Sequence, residues 1–345
     1  MRFAGPAASI VIPIYNTDHG VLVRSVKSAL KQTCKEIEVV LVDDGSKMET
    51  AHQCDEFASL DSRITVIHQD NAGLSAARNA GVNAASGKWI MFLDADDWLS
   101  VDAIERCVEA GERNQVELVM SAWVKDYSSH SVAFPLDYDG ETLFDRDACK
   151  ELMIGLFDWN SRYHDITGKL FLREFLIDKR IEHDAEIRMG SESLLFNIRA
   201  FHELSGACYI PLVTYHYIQN DNSISTKYSN EYREGLSASY RRTYDLIAGY
   251  ENAQDLKVAL NRHLPNVVAA LSVGCAFAPN SILTYREACQ VSQSFRSEML
   301  EIIGCNDFDY AACSTTRKIA NMLIGLRCYP LLKVMALIRA IQKAN

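Results

Sequence analysis

The sequence has no uninterrupted apolar run near the roughly 20 residues that a membrane-spanning helix requires, so no stretch reads as a transmembrane span. None of its ten cysteines stands in a Cys-x-x-Cys pair, which removes support for a structural zinc site. Most of them read instead as small buried apolar residues in a reducing compartment. No Gly-x-Gly-x-x-Gly follows the first strand, and this disfavours a dinucleotide site. Positive charge is in deficit, with 35 Lys and Arg against 45 Asp and Glu and a net charge of −10. A general nucleic-acid binder has the opposite balance, so no nucleic-acid partner is expected. The opening apolar stretch is short and broken by Pro13, unlike a signal peptide, and a cytoplasmic location is expected. There is no internal repeat and no low-complexity tract. What is present is ordinary globular material: 345 residues, 48% hydrophobic and 23% charged, enough for one large domain or two.

The first hundred residues alternate between two periodicities. Ser9-Ile-Val-Ile-Pro13-Ile-Tyr15 reads as a buried strand ending near Pro13, because proline fits poorly in a strand interior. Ile37-Glu-Val-Val-Leu-Val42, Ile64-Thr-Val-Ile-His68 and Trp89-Ile-Met-Phe-Leu93 are further strands, and 21–32 and 49–59 have helical spacing. Strands and helices alternating at this pitch describe βαβ units and a parallel sheet. Beyond them the pattern predicts a helix over 101–113, a strand at 116–120, and loop or hairpin over 128–140. Residues 145–201 read as mainly helical, 209–217 as a last strand, and everything after 228 as helical.

Polar residues cluster where strands end. Asp94-Ala95-Asp96-Asp97 follows an apolar run directly, at the carboxyl end where open α/β sheets place ligands. Asp94 and Asp96 can aim oxygens at one hard cation, Mg²⁺ or Mn²⁺, of the kind completed by a substrate's phosphates. Among 45 acids such a triplet also arises by chance. Asp43 and Asp44 suit a ring N–H and a ribose hydroxyl; the same Asp-Asp-Gly-Ser is equally a turn with a helix cap. Asn71-Ala-Gly73-Leu-Ser-Ala-Ala-Arg78-Asn-Ala-Gly81 offers amides at a helix start and a cation for phosphates or a base. It reads equally as a helix packing small residues on the sheet.

Together these segments are far more specific than any one of them. Ser9-Ile-Val-Ile-Pro13-Ile-Tyr15-Asn16, Val42-Asp43-Asp44-Gly-Ser, the 71–81 segment and Phe92-Leu-Asp94-Ala95-Asp96-Asp97 stand in order within 90 residues. This resembles the N-terminal half of the family 2 glycosyltransferases, closely over about 8–100 and more loosely over 145–225. The resemblance implies a GT-A-type, Rossmann-like, mostly parallel α/β sheet with helices on both faces, followed by a mainly helical C-terminal region. It implies a catalytic domain over 1–225, with a nucleotide and metal half at 8–100 and an acceptor half at 101–225, then a helical region over 226–345. It implies inverting transfer from a nucleotide sugar, commonly a UDP-sugar, to a glycan or polyprenyl-linked acceptor in polysaccharide biosynthesis. Asp44 with Asp43 would bind base and ribose, Asp96 the metal, Asp94 the nucleotide or sugar, with Arg78 nearby. Pro13, Tyr15, Asn16, Gly73 and Ala95 would complete the donor site. The chemistry is coherent: a divalent cation stabilises the charge of the departing diphosphate, and inversion needs a base on the opposite face of the sugar.

The base is where the chain departs from the family. In Met189-Gly-Ser-Glu192-Ser193-Leu-Leu-Phe196 the motif's Glu is Glu192, but the Asp that usually serves as base is Ser193. A serine hydroxyl has no acid–base function near neutral pH unless activated. Glu192 is the candidate; Asp184 or Glu186 are substitutes. A catalytically impaired nucleotide-sugar-binding scaffold and a nucleotidyltransferase are the other readings. In Gly168-Lys169-Leu-Phe-Leu-Arg173 a glycine replaces the family's asparagine, and Lys169 could reach a phosphate. In the segment from Tyr215 to Ser223, Ile218 stands where the family has Arg; His216 reads as a packed strand histidine. Trp123, Trp159 and Tyr163 are candidates for stacking on a sugar and equally for core. Residues 314–345 carry six basic residues and no acid, alternating with apolar ones at helical spacing. Such a tail reads as an anchor peripheral to an anionic membrane surface, or as helices packed on the core.

Overall fold

Apolar β-branched runs set the framework. The computed structural model describes residues 5–219 and 227–344. Its first half contains β1 (Ala8–Ile14), α1 (His19–Leu30), β2 (Ile37–Asp44), α2 (Met48–Leu60), β3 (Ile64–Gln69), α3 (Leu74–Ala84) and β4 (Trp89–Phe92). There follow β5 (Trp98–Leu99), α4 (Ala103–Asn114), β6 (Leu118–Asp126), β7 (Ser131–Phe134), β8 (Thr142–Asp145), α5 (Arg146–Gly155), β9 (Lys169–Leu172), α6 (Arg173–Asp178), α7 (Glu192–Glu203) and β10 (Gly206–Ile218). All ten strands join one sheet in the order β3-β2-β1-β4-β9-β6-β10-β5, with β7 beside β6 and β8 beside β10.

The sheet is parallel through β3, β2, β1 and β4, then reverses at β9, which runs antiparallel to both neighbours. β9 lies inside the stretch that the sequence pattern presents as mainly helical. A lysine and three apolar residues are too few for periodicity to separate a strand from a helix turn. Pro13, by contrast, lies inside a strand without cost. Leu93 N donates to Val11 O (2.9 Å), so Val11 and, two residues on, Pro13 face β4. Pairing with β4 ends at Val11, so the missing N–H of Pro13 breaks no ladder bond.

Strand alternation sends residues to two helical layers. Ile10, Ile12, Ile14, Val39, Leu41, Trp89 and Met91 pack with Leu22 and Val26 of α1 and Ile104 of α4. On the other side α3 lies against β1 and β2, and Phe196 of α7 meets Phe92 and Phe171 edge-on at 6.0 and 5.5 Å. Gly81 sets the height of α3: a Cβ there would lie 2.2 Å from Val11 Cγ1. Gly81→Ala is therefore expected to lower stability by about 1–3 kcal/mol through overpacking, measured by urea denaturation. An unchanged midpoint would mean that α3 can lift away freely.

The described chain falls into two units: residues to 153 with 162–188 and 192–219, and residues 154–161 and 189–191 with the chain from 227 onward. The second is helical: α8 (Asn230–Ile247), α9 (Ala253–Leu271), a π-helical turn at Ser272–Ala276, α10 (Tyr285–Ile303), α11 (Thr315–Gly325) and α12 (Tyr329–Ala344). Within it His263 links Tyr240 Oη (2.9 Å) to the Phe157 carbonyl (2.8 Å). Among the described residues no helix is long and apolar enough to cross a membrane.

Candidate active site

Every strand of the parallel half ends at the same edge, and its terminal residues are tied together there. At the end of β1, Asn16 takes a left-handed conformation (φ 49) and its amide donates to Ser46 Oγ at 3.0 Å. Asn16 Oδ1 accepts from Lys47 N at 2.8 Å, so the loops after β1 and β2 are cross-linked. Tyr15 is more than half exposed beside them, while Pro13 is buried in the sheet.

The two acids that close β2 differ in role. Asp43 accepts from Ser46 N (3.0 Å) and pairs with His68 Nδ1 (2.7 Å), whose Nε2 meets Asp55 (3.1 Å). Burial raises the Asp43 carboxyl, but its bonds to Ser46 and His68 outweigh that and hold it below its ordinary value. The hydrogen bond to Asp43, then that to Asp55, raises the His68 imidazole above 6.5. The raised imidazole contributes stability below its unfolded pKa and loses it as pH rises through the folded value. The depressed carboxyl contributes above its unfolded pKa and loses it as pH falls through the folded one. The pair is therefore strongest between those limits. An NMR titration of the His68 ring should find its midpoint above 6.5 in the folded protein, and His68→Asn should raise that of Asp43. A His68 midpoint at or below 6.5 would contradict the pairing.

Asp44 is nearly saturated from within. Its carboxylate accepts from Gln69 Nε2 (2.7 Å), Ala72 N (2.8 Å) and Gly73 N (2.8 Å). It thereby shapes the loop entering α3. Gly73 caps that helix at φ 92, and a Cβ there would lie 2.9 Å from Arg188 Cβ, so the position requires glycine on two counts. Arg188 also reaches Asn71 through its side-chain and main-chain oxygens.

Arg78, on α3, is the centre of the arrangement. It is 2% exposed, and its guanidinium bonds Asp94 Oδ1 through Nη2 (2.9 Å) and Glu192 Oε1 through Nη1 (3.1 Å). Burial opposes its charge, but Asp94 and Glu192 more than compensate and raise its pKa. Ser193 Oγ lies 3.4 Å from the same Nη1. A residue from the end of β4 and one from the first turn of α7, 98 positions apart in sequence, are thus held on one cation. The N-terminal dipole of α7 adds to the favourable setting of Glu192. Neutral His183 borders this cluster: burial, then Arg78 and Arg199, lowers its pKa well below the ordinary value.

The acids after β4 divide by surroundings. Asp97 is buried, accepting from Tyr215 Oη (2.7 Å) and Ile218 N (2.8 Å). Burial, then the charges of Asp94 and Asp96, push its carboxyl well above the ordinary range. Tyr215 Oη also accepts from Asp94 N (3.1 Å). The Asp96 carbonyl accepts from Arg24 (2.7 Å), but its carboxylate makes no side-chain hydrogen bond or ion pair among the described residues. Burial, then Asp94, raises its pKa. Ala95 between them points into the core.

Several acceptor-side expectations change. Lys169 does not face a phosphate: it is buried, and Nζ donates to the carbonyls of Tyr163 (2.7 Å) and Asp165, with its pKa lowered by burial to about 7. His216 is the packed histidine expected, stacked on Trp98 at 3.5 Å and bonded to Asp126 and Ser100. Trp123 stacks on Phe134 (4.3 Å), Tyr163 on Phe201 (6.2 Å), and Trp159 carries Arg317 over its ring (4.2 Å). Asp184 is paired with Arg199 at 3.7 Å. The motif running from Tyr215 to Ser223 lies outside the described residues from position 220. Tyr215, His68, Arg24 and Arg188 were missed as site-building residues. Only Tyr215 carried a signal, its place in a Tyr-x-Tyr segment.

The family model for Glycosyl transferase family 2 matches residues 9–175. The uncharacterized glycosyltransferase EpsJ of Bacillus subtilis is 31% identical over 282 residues, covering 80% of this chain and 80% of its own. Among solved structures, the Staphylococcus aureus TarS 1-349 complex with UDP superposes with a TM-score of 0.64 at 15% identity, over 98% of this chain and 92% of that one. The complex of the same fragment with UDP-GlcNAc gives 0.65, also at 15% identity, with the same coverage. At that identity the likeness is one of fold.

Proposed function

The chain belongs to glycosyl transferase family 2, and from that premise we propose that it transfers a sugar, with inversion, from a UDP-sugar to a hydroxyl of a glycan or polyprenyl-linked acceptor in polysaccharide biosynthesis. One observation carries the reading. Arg78 joins Asp94, at the strand end suited to a donor, to Glu192, the acid nearest the family's base position. Asp43 and Asp44 frame the base and ribose, Asp44 chiefly by holding the amides of Ala72 and Gly73 in place. Tyr15, Asn16 and the backbone at Pro13, Gly73 and Ala95 border the same edge. The UDP and UDP-GlcNAc named with TarS support a uridine donor. Ten free thiols suit a cytoplasmic site.

A divalent cation, Mg²⁺ or Mn²⁺, fits Asp96. The carboxylate there is without a side-chain partner among the described residues, and burial, then the charge of Asp94, raises its pKa. Among the described residues no group of three His, Cys, Asp or Glu side chains is arranged to hold a metal ion by itself. The donor set therefore suits a cation held by one or two carboxylates and completed by the donor's phosphates. When bound, it would neutralise charge on the departing diphosphate. Asp96→Ala should abolish metal-dependent UDP binding in calorimetry; unchanged binding would remove the assignment.

The overall test is a screen of UDP- and GDP-sugars for release of the nucleoside diphosphate with either cation added. UDP release from one donor is expected. No release together with no UDP binding would overturn the reading. Ser193 favours a second one, a nucleotide-sugar-binding scaffold, which UDP binding without turnover of any donor would identify. Family membership sets the nucleotidyltransferase aside.

A further inference from the structure

The last two helices turn apolar side chains outward. On α11, Ala320 and Ile324 face the helical unit, while Ile319, Met322 and, just past the helix end, Leu326 are exposed at 45%, 51% and 70%. On α12, Leu332 and Ala336 face inward, and Leu331, Val334, Leu337, Ile338 and Ile341 are exposed. Positions 319, 322, 326 and 331, 334, 338, 341 share the i, i+3, i+7 spacing of a single helix face. These two helices and the link between them hold eight of the 21 large hydrophobic residues exposed in the described chain. A stripe of this size is a mark of a docking surface.

Along these two helices the charge has one sign. No Asp or Glu follows Asp309, in a chain of net charge −10. Not every base of the tail faces outward: Arg317 lies over the Trp159 ring and donates to Asn266 Oδ1 (3.3 Å). Arg327, Lys333 and Arg339 are exposed.

An open groove of about 780 Å³ adjoins the link between α11 and α12. Its lining includes Arg233, Arg286, Arg327, Tyr228 and Tyr329 and, among the described residues, no acid. Arg233 is paired with Glu298 at 2.7 Å, but Arg286 and Arg327 make no ion pair among the described residues. Arg327 follows Leu326, the most exposed of the apolar residues over 319–341, and precedes Leu331 by four positions. The groove and the apolar stripe thus share one link.

We propose that α11 and α12 dock on an anionic lipid bilayer, with their stripes in the boundary between headgroups and acyl chains, and that Arg286 and Arg327 receive a lipid phosphate in the groove. Apolar side chains on helices whose only charged residues are bases are the composition of an interfacial helix. A second copy would fit poorly, since a twofold contact sets the same patch on itself and brings Arg327, Lys333 and Arg339 against their equivalents.

The test is flotation of the full chain with phosphatidylcholine vesicles, with and without phosphatidylglycerol. Binding should require the anionic lipid and weaken with salt. Arg286→Gln with Arg327→Gln should reduce it about 30-fold, by the loss of two charges near the surface. Val334→Glu with Ile338→Glu should reduce it below detection. Thermal melting and UDP binding of both variants should match those of the parent protein. Equal binding to both vesicle types, or to neither, overturns the proposal, as does a groove variant that binds normally. A dimer in the parent that the stripe variant dissociates would assign the face to self-association and overturn it too. No nucleotide is present in the flotation, so its failure leaves the transferase reading standing, and the donor screen can fail without touching it.

Discussion

Glu192→Gln should lower turnover by about 10²-fold or more while leaving UDP binding intact, if Glu192 takes the acceptor's proton. The substitution keeps an oxygen for Arg78 and preserves side-chain volume, but removes the basic group. Glu192 is the acid for which the structure provides a site: it opens α7, and Oε1 is held by Arg78. Of the substitutes, Asp184 is committed to Arg199, and Glu186 lies exposed in the loop before α7. Ser193 does not replace the missing Asp: its hydroxyl lies 3.4 Å from the Arg78 guanidinium, and the carboxylate within its reach, Glu192 Oε1 at 3.5 Å, is itself held by that cation. The informative companion is Ser193→Asp. If Glu192→Gln retains full turnover and Ser193→Asp raises it, the base lies elsewhere and the assignment falls. Steady-state kinetics beside calorimetry with UDP separates a lost base from a lost donor site.

Arg78→Ala should cost about 3 kcal/mol of stability, the low end for removing one partner of a buried ion pair. Arg78 is almost wholly buried, and its loss would leave Asp94 and Glu192 facing each other with no cation between them. Asp94 is 31% exposed, so water would relieve part of that repulsion, which is why the low end applies. Because the guanidinium also sets the position of Asp94, donor binding should fail in the same variant even at temperatures where it remains folded. Arg78→Lys distinguishes charge from geometry: a single ammonium cannot hold both carboxylates in a fixed fork, so stability should largely return while turnover stays low. Chemical denaturation with UDP titration measures both. A variant that melts and binds like the parent would show the pairing to be incidental.

The first four strands, their carboxyl-end acids and the helical end of the chain were legible because each is written locally. A strand apolar on both faces needs no partner to be recognised, and Asp43, Asp44 and Asp96 stand directly behind such strands. The acceptor half was less legible for the same reason inverted. β9 is four residues long and carries a lysine whose charge suggests solvent, yet Lys169 is buried because two main-chain carbonyls receive its ammonium. Neither carbonyl is visible from the residue itself.

Sequence alone determined the order of strands and helices over the nucleotide half, the class of chemistry at its edge, and the acid left in doubt by Ser193. Only the tertiary structure decided the partners. Arg78, read as a cation for phosphates or a base, spends its guanidinium on Asp94 and Glu192; Asp44 spends its carboxylate on Gln69 and two loop amides; Tyr215 joins Asp94 to Asp97. The tail's bases divided likewise, Arg317 turning inward to Trp159 while Arg327 stayed out. The reason is common to all four. A motif specifies which polar groups a strand end presents, but a buried charge must be matched within hydrogen-bond reach, and those matches come from residues about a hundred positions away as readily as from neighbours.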